Sequence, residues 1–433
     1  MNISDLYQIF IKYRKVSTDT RSDLDGSIFF ALKGNSFDGN TFINQALQNG
    51  AACCVIDNPN YYIDEKTILV DDVLKTLQQL ATFHREQFDI PVLAITGSNG
   101  KTTTKELVNA VLSTTYKTVC TKGNLNNHIG VPLTLLSMTD EVEFAIIEMG
   151  ANHPKEIDFL CHIAKPNFGI ITNIGKAHLE GFGGFEGVVK TKNELYQYIG
   201  AQNNMLFVNH DDELLINLSK DISKITYGIS QHSDCTGQNM DMKPFLSLDI
   251  ELDGKKYGIY SKLIGAYNAP NILAAACIGN YFHVSPEKIV SALENYQPDN
   301  MRSQIEKRGS NTIILDTYNA NPTSMNAALD NFFLMDFPRK TVILGDMLEL
   351  GSWSEEEHQK IIYRLKDSNL DDVYLVGKHF KNSKEMYGFM YFNDVNELVS
   401  SFESNSIRNS LILIKGSREI RLEKILHTLK DEQ

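Results

Sequence analysis

The chain has 433 residues, 42% hydrophobic and 22% charged, a balance that fits a folded globular protein and excludes disordered and fibrous classes. At roughly 100 to 200 residues per domain, the length excludes a single small core and suggests about two to four domains, with three the working expectation. A formal charge of −13 argues against a general nucleic-acid binder, which needs clustered Lys and Arg, and no apolar run approaches the roughly 18 residues of a membrane span.

In MNISDLYQIFIKYRK, Asp5, Gln8 and Lys12 interrupt Ile3, Leu6, Ile9 and Phe10 at helical spacing, so no signal peptide is expected. Cys53, Cys54, Cys120, Cys161, Cys235 and Cys277 form neither a CxxC nor a zinc-spaced cluster, which fits a reducing, cytoplasmic compartment. SIFFALKG, AACCVID and TILVDD are apolar runs too short for helices and bounded by Gly, Asp or Asn. They predict strands of a small α/β domain over residues 1–88.

PVLAIT (Pro91–Thr96) reads as a buried strand running into SNGK and then into a helix with Leu107, Val108, Val111 and Leu112 on one face. FAIIE (Phe144–Glu148), FGIIT (Phe168–Thr172) and MLFVN (Met205–Asn209) alternate with helical stretches, which predicts a mostly parallel sheet covered on both faces. LSLDIELDGKKYGIY alternates around Asp253-Gly254, a hairpin signal for a small antiparallel addition. A helix is expected at about 268 to 281, closing a central domain over 89–297. Pro298, Asp299 and Asn300 mark a linker. The strands TIILD (Thr312–Asp316), TVILG (Thr341–Gly345), VYLVG (Val373–Gly377) and LILIK (Leu411–Lys415) then predict a Rossmann-like C-terminal domain over 298–433.

The strongest local signal is AITGSNGKTTTKE (Ala94–Glu106). Loop amides and a helix N-terminus offer donors and a positive dipole to phosphate oxygens. Lys101 would reach the β and γ phosphates of a nucleoside triphosphate, Thr102 would offer its hydroxyl to Mg²⁺, and Thr103 is a second choice. Ile95 stands where the usual GxxxxGK[ST] pattern has its first glycine, so only the GKT end matches. The alternative is a tight turn that uses Gly97 and Gly100 for backbone reasons alone. The central sheet is thus expected to be of the P-loop ATPase type. Glu148 ends one strand and His178 follows another, so both fall near the carboxyl edge of the sheet, where they would meet a metal. Taken singly, Glu148 reads equally as a solvated or capping residue, and His178 as a loop residue.

TGSNGKTT, EMGANHPKEI, TNIGKAHLEGFG and GAYNAPNILAA, in that order and ahead of a third Rossmann-like domain, resemble the Mur ligase family. STDTRSDLDGSIFFALKGNSFDGNTF, DTYNANPTSM and LGDMLELG resemble its members that add D-alanyl-D-alanine to a UDP-N-acetylmuramoyl-tripeptide. The resemblance implies an ATP- and Mg²⁺-dependent ligase of cytoplasmic peptidoglycan synthesis, working through an acyl phosphate. It implies ATP on Gly97, Ser98, Asn99, Gly100, Lys101, Thr102 and Thr103, with Asn271 at the adenine and Arg302 and Asp316 at the ribose or phosphates. Asn268, three residues before Asn271 on one helix face, could exchange roles with it as a cap, and Arg302 reads equally as a linker residue in a surface ion pair.

By the same resemblance, Thr102 and Glu148 would hold one Mg²⁺, and Glu148, His178 and a carbamylated Lys192 a second, with Lys190 the alternative lysine. Lys101, Glu148, His178 and Lys192 are the expected catalytic set. Thr20, Arg21 and Lys33 would take the UDP group, Asn124, Asn126 and Asn127 would face the muramoyl peptide unless they only form turns, and Asn319, Asn321 and Asp346 would lie on the D-alanyl-D-alanine side. Asn40 stands in DGNTF where DGH is more usual, a departure within the first domain. A monomer is expected. The nearest rival is a sister ligase that adds a single amino acid, or glutamate to folate; the rival from another class is a nucleotide switch or kinase.

Overall fold

The computed structural model describes residues 2–298, 301–383, 385–404 and 407–429. Of the expected linker, Asp299 and Asn300 lie outside the described residues.

Three sheets follow one another along the chain. In the first, β1 (Val16–Ser17), β2 (Ile28–Phe30), β3 (Cys53–Ile56) and β4 (Thr67–Leu69) lie in chain order and parallel. Every residue of β2 and β3 is buried, which is why IFF and CCVI are continuous apolar runs rather than alternating ones. Asn40 sits in a buried polar network, donating from Nδ2 to Asp38 (2.7 Å) and Asp57 (2.9 Å), and Lys33 pairs with the same Asp57 at 2.8 Å.

Helix Val73–Arg85 begins where the Asp72 carboxylate accepts from Lys75 N, a standard N-cap. It ends against the second sheet's helices. His84 Nε2 lies 3.0 Å from Met138 O while its Nδ1 meets Tyr7 Oη at 3.1 Å, and Arg85 donates to Ala164 O and Lys165 O. These bonds pair carbonyls that the junction would otherwise leave bare.

The central sheet holds β5 (Val92–Thr96), β6 (Thr118–Cys120), β7 (Phe144–Glu148), β8 (Phe168–Ile171), β9 (Met205–Asn209), β10 (Lys224–Gly228), β11 (Cys235–Met242), β12 (Leu246–Leu252) and β13 (Lys255–Tyr260). Its order is β13-β12-β11-β10-β9-β8-β5-β7-β6. All neighbours are parallel up to β11, and β12 and β13 are antiparallel. The expected hairpin turns at Asp253 (φ 49°) and Gly254 (φ 73°), the paired positive values of a type I′ turn. It extends the large sheet rather than standing apart from it. From β5 the chain goes to β6 and β7 on one side and then to β8 on the other, so the loops after β5, β7 and β8 open a crevice at one switch point.

The third sheet has β14 (Gln304–Arg308), β15 (Asn311–Asp316), β16 (Lys340–Gly345), β17 (Asp372–Val376), β18 (Met390–Phe392) and β19 (Leu411–Lys415), in the order β14-β15-β19-β16-β17-β18. Only the pairing of β14 with β15 is antiparallel, as a Rossmann-like unit with an added edge hairpin requires. β14 and β18 were not expected from the sequence: QIEKR of β14 offers no continuous apolar run, and MYF of β18 is only three residues long. No helix among the described residues is long and apolar enough to cross a membrane.

Candidate active site

The loop after β5 is built on two glycines. Gly97 has φ 147° and Gly100 φ 78°, and a Cβ at 97 would lie 2.0 Å from Thr172 Oγ1, closer than any side chain tolerates. Ile95 is still a fully buried residue of β5, so a glycine has no task there. The chain after β8 grips the loop: Thr172 Oγ1 donates to Asn99 O at 2.6 Å, Asn173 Nδ2 donates to the same carbonyl, and Ser98 N and Asn99 N donate to Asn173. Helix Lys101–Leu112 follows with no side-chain cap. Its first amides are left to satisfy an anion.

Lys101 Nζ donates to Gly97 O at 2.8 Å and Ser98 O at 3.3 Å, folded back over the loop. Burial, opposed by Glu148 and aided by Arg302, lowers its ammonium to about 8. Thr102 Oγ1 donates to the Glu148 carboxylate, 3.0 Å from Oε2, and Asn126 Nδ2 donates to Oε1 at 2.8 Å. Register explains the meeting, since Glu148 pairs with Ile95 across β5 and β7. Lys105 Nζ lies 3.6 Å from Glu148 Oε2, with both side chains almost fully buried. The sequence reading missed Lys105. The available signal was its spacing three residues after Thr102, on the same helix face.

The third domain closes the other side of a cavity of about 530 Å³, a size that suits a nucleotide with part of a second substrate. The Arg302 guanidinium stacks 3.8 Å from the Tyr318 ring centroid, and its buried Nε has no hydrogen-bond partner among the described residues. Asp316, at the end of β15, pairs with the buried Lys415 at 2.6 Å. Asn99 and Asn321 exchange amide bonds across the junction (2.8 and 3.4 Å), Lys176 pairs with Glu357 at 2.7 Å, and Lys176 N donates to Thr323 Oγ1.

Ser98, Asn99, Gly100, Lys101, Thr103, Glu148, His178, Asn124, Asn126, Asn127, Asn271, Arg302, Asp316 and Asn319 all line this cavity. Gly97, in the loop, and Thr102, in the first turn of the helix, are not among its lining residues. Asn271 accepts from Thr104 Oγ1 and donates to Asn268, which in turn donates to Ile264 O; neither amide caps the helix Ala269–Tyr281. Asn127 Oδ1 accepts from Ile129 N and Gly130 N, so it also forms the turn that its loop suggested.

Several expected positions are not brought to the cavity. Asp346 does not line it: its buried carboxylate accepts from His379 N and Phe380 N (2.9 and 3.0 Å) and faces His358. It braces the start of a helix in the third domain. Asn321 caps the helix Pro322–Leu334 and pairs with Asn99 instead of lining the space. Thr20, Arg21 and Lys33, expected at the UDP group in the first domain and not at this cavity, lie in that domain's own loops, where Arg21 pairs with Asp19 and Lys33 with Asp57.

Lys190 is exposed, whereas Lys192 is buried. Its amine lies 5.8 Å from the Phe182 ring centroid and forms no hydrogen bond or ion pair among the described residues. Burial, reinforced by the charge of Lys101, pushes it well below the ordinary lysine range. His178 has a left-handed backbone (φ 51°), and its Nδ1 lies 2.5 Å from Glu349 Oε2 of the third domain. The carboxylate sits off the ring's N–H axis, so Nδ1 lacks a well-aligned hydrogen bond despite the short contact.

Three family descriptions match in order: Mur ligase family, catalytic domain, over residues 12–85; Mur ligase middle domain, over 95–279; and Mur ligase, glutamate ligase domain, over 301–418. The UDP-N-acetylmuramoyl-tripeptide--D-alanyl-D-alanine ligase of Bacillus subtilis (strain 168) is 35% identical, with 96% of this chain and 92% of the relative covered. That of Escherichia coli (strain K12) is 33% identical, covering 96% and 93%. Among solved structures, MurF from Acinetobacter baumannii aligns with a TM-score of 0.86 at 31% identity, over 97% of this chain and 94% of that one. A MurF ligase from Thermotoga maritima in complex with ADP aligns at 0.83 and 26%, over 96% and 97%. This chain belongs to the Mur ligase family. Its likeness to MurF extends over nearly the whole length, first domain included.

Proposed function

We propose that this chain joins D-alanyl-D-alanine to UDP-N-acetylmuramoyl-tripeptide in an ATP-driven carbon-nitrogen ligation that supplies a peptidoglycan precursor. The observation that carries the reading is the single cavity that receives the phosphate loop, the Asn124–Asn127 loop and the ends of β15 and β19. Bringing three reactants to one point is what a ligation needs.

The terminal carboxylate of the tripeptide attacks the γ-phosphorus of ATP, the bond to the β,γ-bridging oxygen breaks and ADP departs, leaving an acyl phosphate with a good leaving group. Lys101 and the uncapped amides of its helix neutralise charge on the transferring phosphoryl group. The dipeptide amine, held on the side of Asn319, then attacks the acyl carbon and phosphate departs. Asn321 contributes by tying the third domain to the loop through Asn99. Asn271, Arg302 and Asp316 take the nucleoside end, and Thr20, Arg21 and Lys33 the UDP group.

The donor set suits Mg²⁺. Thr102 with Glu148 offers one hydroxyl and one carboxylate, and Mg²⁺ commonly takes its remaining ligands from water and phosphate oxygens. When bound, it supplies positive charge beside the phosphates. Lys192, whose ammonium burial holds well below the ordinary lysine range, would be carbamylated, and the resulting anion would join Glu148 and His178 around a second ion. The enzyme is monomeric and cytoplasmic in this reading, with domain boundaries near residues 88 and 298.

ADP release measured with ATP, UDP-muramoyl tripeptide and D-alanyl-D-alanine, each omitted in turn, tests the reading. Full turnover is expected only with all three. Undiminished release without the dipeptide would point to a kinase or switch and overturn it, and equal turnover with a single amino acid would favour the sister ligase.

A further inference from the structure

The segment Asp346–Gly351 is anchored residue by residue. Asp346 binds two amides of the next helix, Met347 N donates to His358 Nε2 at 3.0 Å, Leu348 N donates to Ser417 Oγ at 2.9 Å, and the Met347 and Leu350 side chains are buried. Glu349 is the exception: its side chain is half exposed and reaches out of the third domain to His178. Its backbone is left-handed (φ 62°), as is that of His178 (φ 51°). Two non-glycine residues in this uncommon conformation face each other across a domain junction. The backbone joins there too, with Glu180 N donating to Glu349 O at 3.2 Å.

We propose that Glu349 is a positioning residue that orients His178 for metal binding from the opposite domain. A carboxylate acceptor at Nδ1 places the ring proton there and leaves the Nε2 lone pair for a metal, the arrangement by which outer partners fix histidine ligands. Because Glu349 is carried by the third domain, the metal site is completed only when that domain is docked on the central one, which couples assembly of the dipeptide side to readiness of the ATP side. The present misalignment at Nδ1 is of the kind that tightens on substrate binding. This inference rests on the reading of His178 as a ligand.

The test uses the full-length protein with Mn²⁺ and a non-hydrolysable ATP analogue. Mn²⁺ affinity and the electron spin-echo modulation from a coordinated imidazole nitrogen are recorded for wild type, Glu349→Ala, Glu349→Gln and His178→Ala. Glu349→Ala should weaken Mn²⁺ binding about tenfold to a hundredfold and diminish the nitrogen signal. Glu349→Gln, which keeps an acceptor oxygen, should recover most of that signal. If His178→Ala abolishes the signal while Glu349→Ala leaves both signal and affinity unchanged, the role of Glu349 is overturned and the ligand reading stands. If His178→Ala changes neither, the ligand reading falls, and this inference with it.

Discussion

Glu148→Gln separates the two tasks of the buried carboxylate. The glutamine oxygen still accepts from Thr102 and Asn126, so the change removes charge and little else. Lys105, 2% exposed and 3.6 Å away, becomes an unpaired buried cation. Breaking such a pair from one side costs about 3–5 kcal/mol, which corresponds to a fall in Tm of roughly 10 °C for a domain of this size. Loss of the negative charge beside the phosphate loop should also lower the ligation rate by about 10²–10³, the scale of one electrostatic contact at a transition state. Adding Lys105→Met removes the cation as well, and replacing both members of a buried pair is close to neutral for stability. The double variant should therefore regain most of the lost Tm while remaining inactive, with thermal melts and ADP release at several Mg²⁺ concentrations as the readouts. If it recovered a third or more of the wild-type rate, Glu148 would be serving only to balance Lys105, and its assignment to the metal would be wrong.

Gly97→Ala should weaken ATP binding at least tenfold in a nucleotide titration, since backbone strain of about 1–3 kcal/mol adds to the collision with Thr172. Pairing it with Thr172→Ala should recover only part, because the strain remains. Asn99→Ala and Asn321→Ala, measured singly and together through the KM for the dipeptide, should show a coupling of about 1 kcal/mol; strict additivity would mean that the amide pair does not hold the third domain in place. Burial lowers the pKa of His84 from its usual value near 6.5, so the unfolded chain binds the extra proton first as pH falls. Stability should be fully present above about pH 6.5 and decline below it. His84→Gln should flatten that acid limb in melts between pH 7 and 5, and an unchanged slope would refute the assignment.

The parallel strands of the central sheet were legible because strands buried on both faces must be continuous apolar runs, and Glu148 was legible because it ends one of them. The grip of Asn173 on the loop, the pairing of Lys105 with Glu148 and the reach of Glu349 to His178 were not. Each joins residues 43 to 171 positions apart along the sequence; the spacing of Lys105 from Thr102 gave its helix face, but nothing local in the chain names the partner in any of the three. Asp346 illustrates the opposite case. It follows a strand end in a conspicuous motif, yet its carboxylate turns inward to satisfy two helix amides, a demand that only the folded packing reveals. The left-handed backbone of His178 and Glu349 was equally hidden, because neither residue is a glycine that would advertise it.

Helix Val73–Arg85 also decides how the polypeptide can be divided. A cut at residue 88, where composition changes, would produce an amino-terminal fragment whose last turn has lost its acceptors at Met138, Ala164 and Lys165, and a remainder with those carbonyls and the apolar surface around them laid open to water. Fragment studies would do better to leave residues 1–298 intact and to divide, if anywhere, before the third sheet begins.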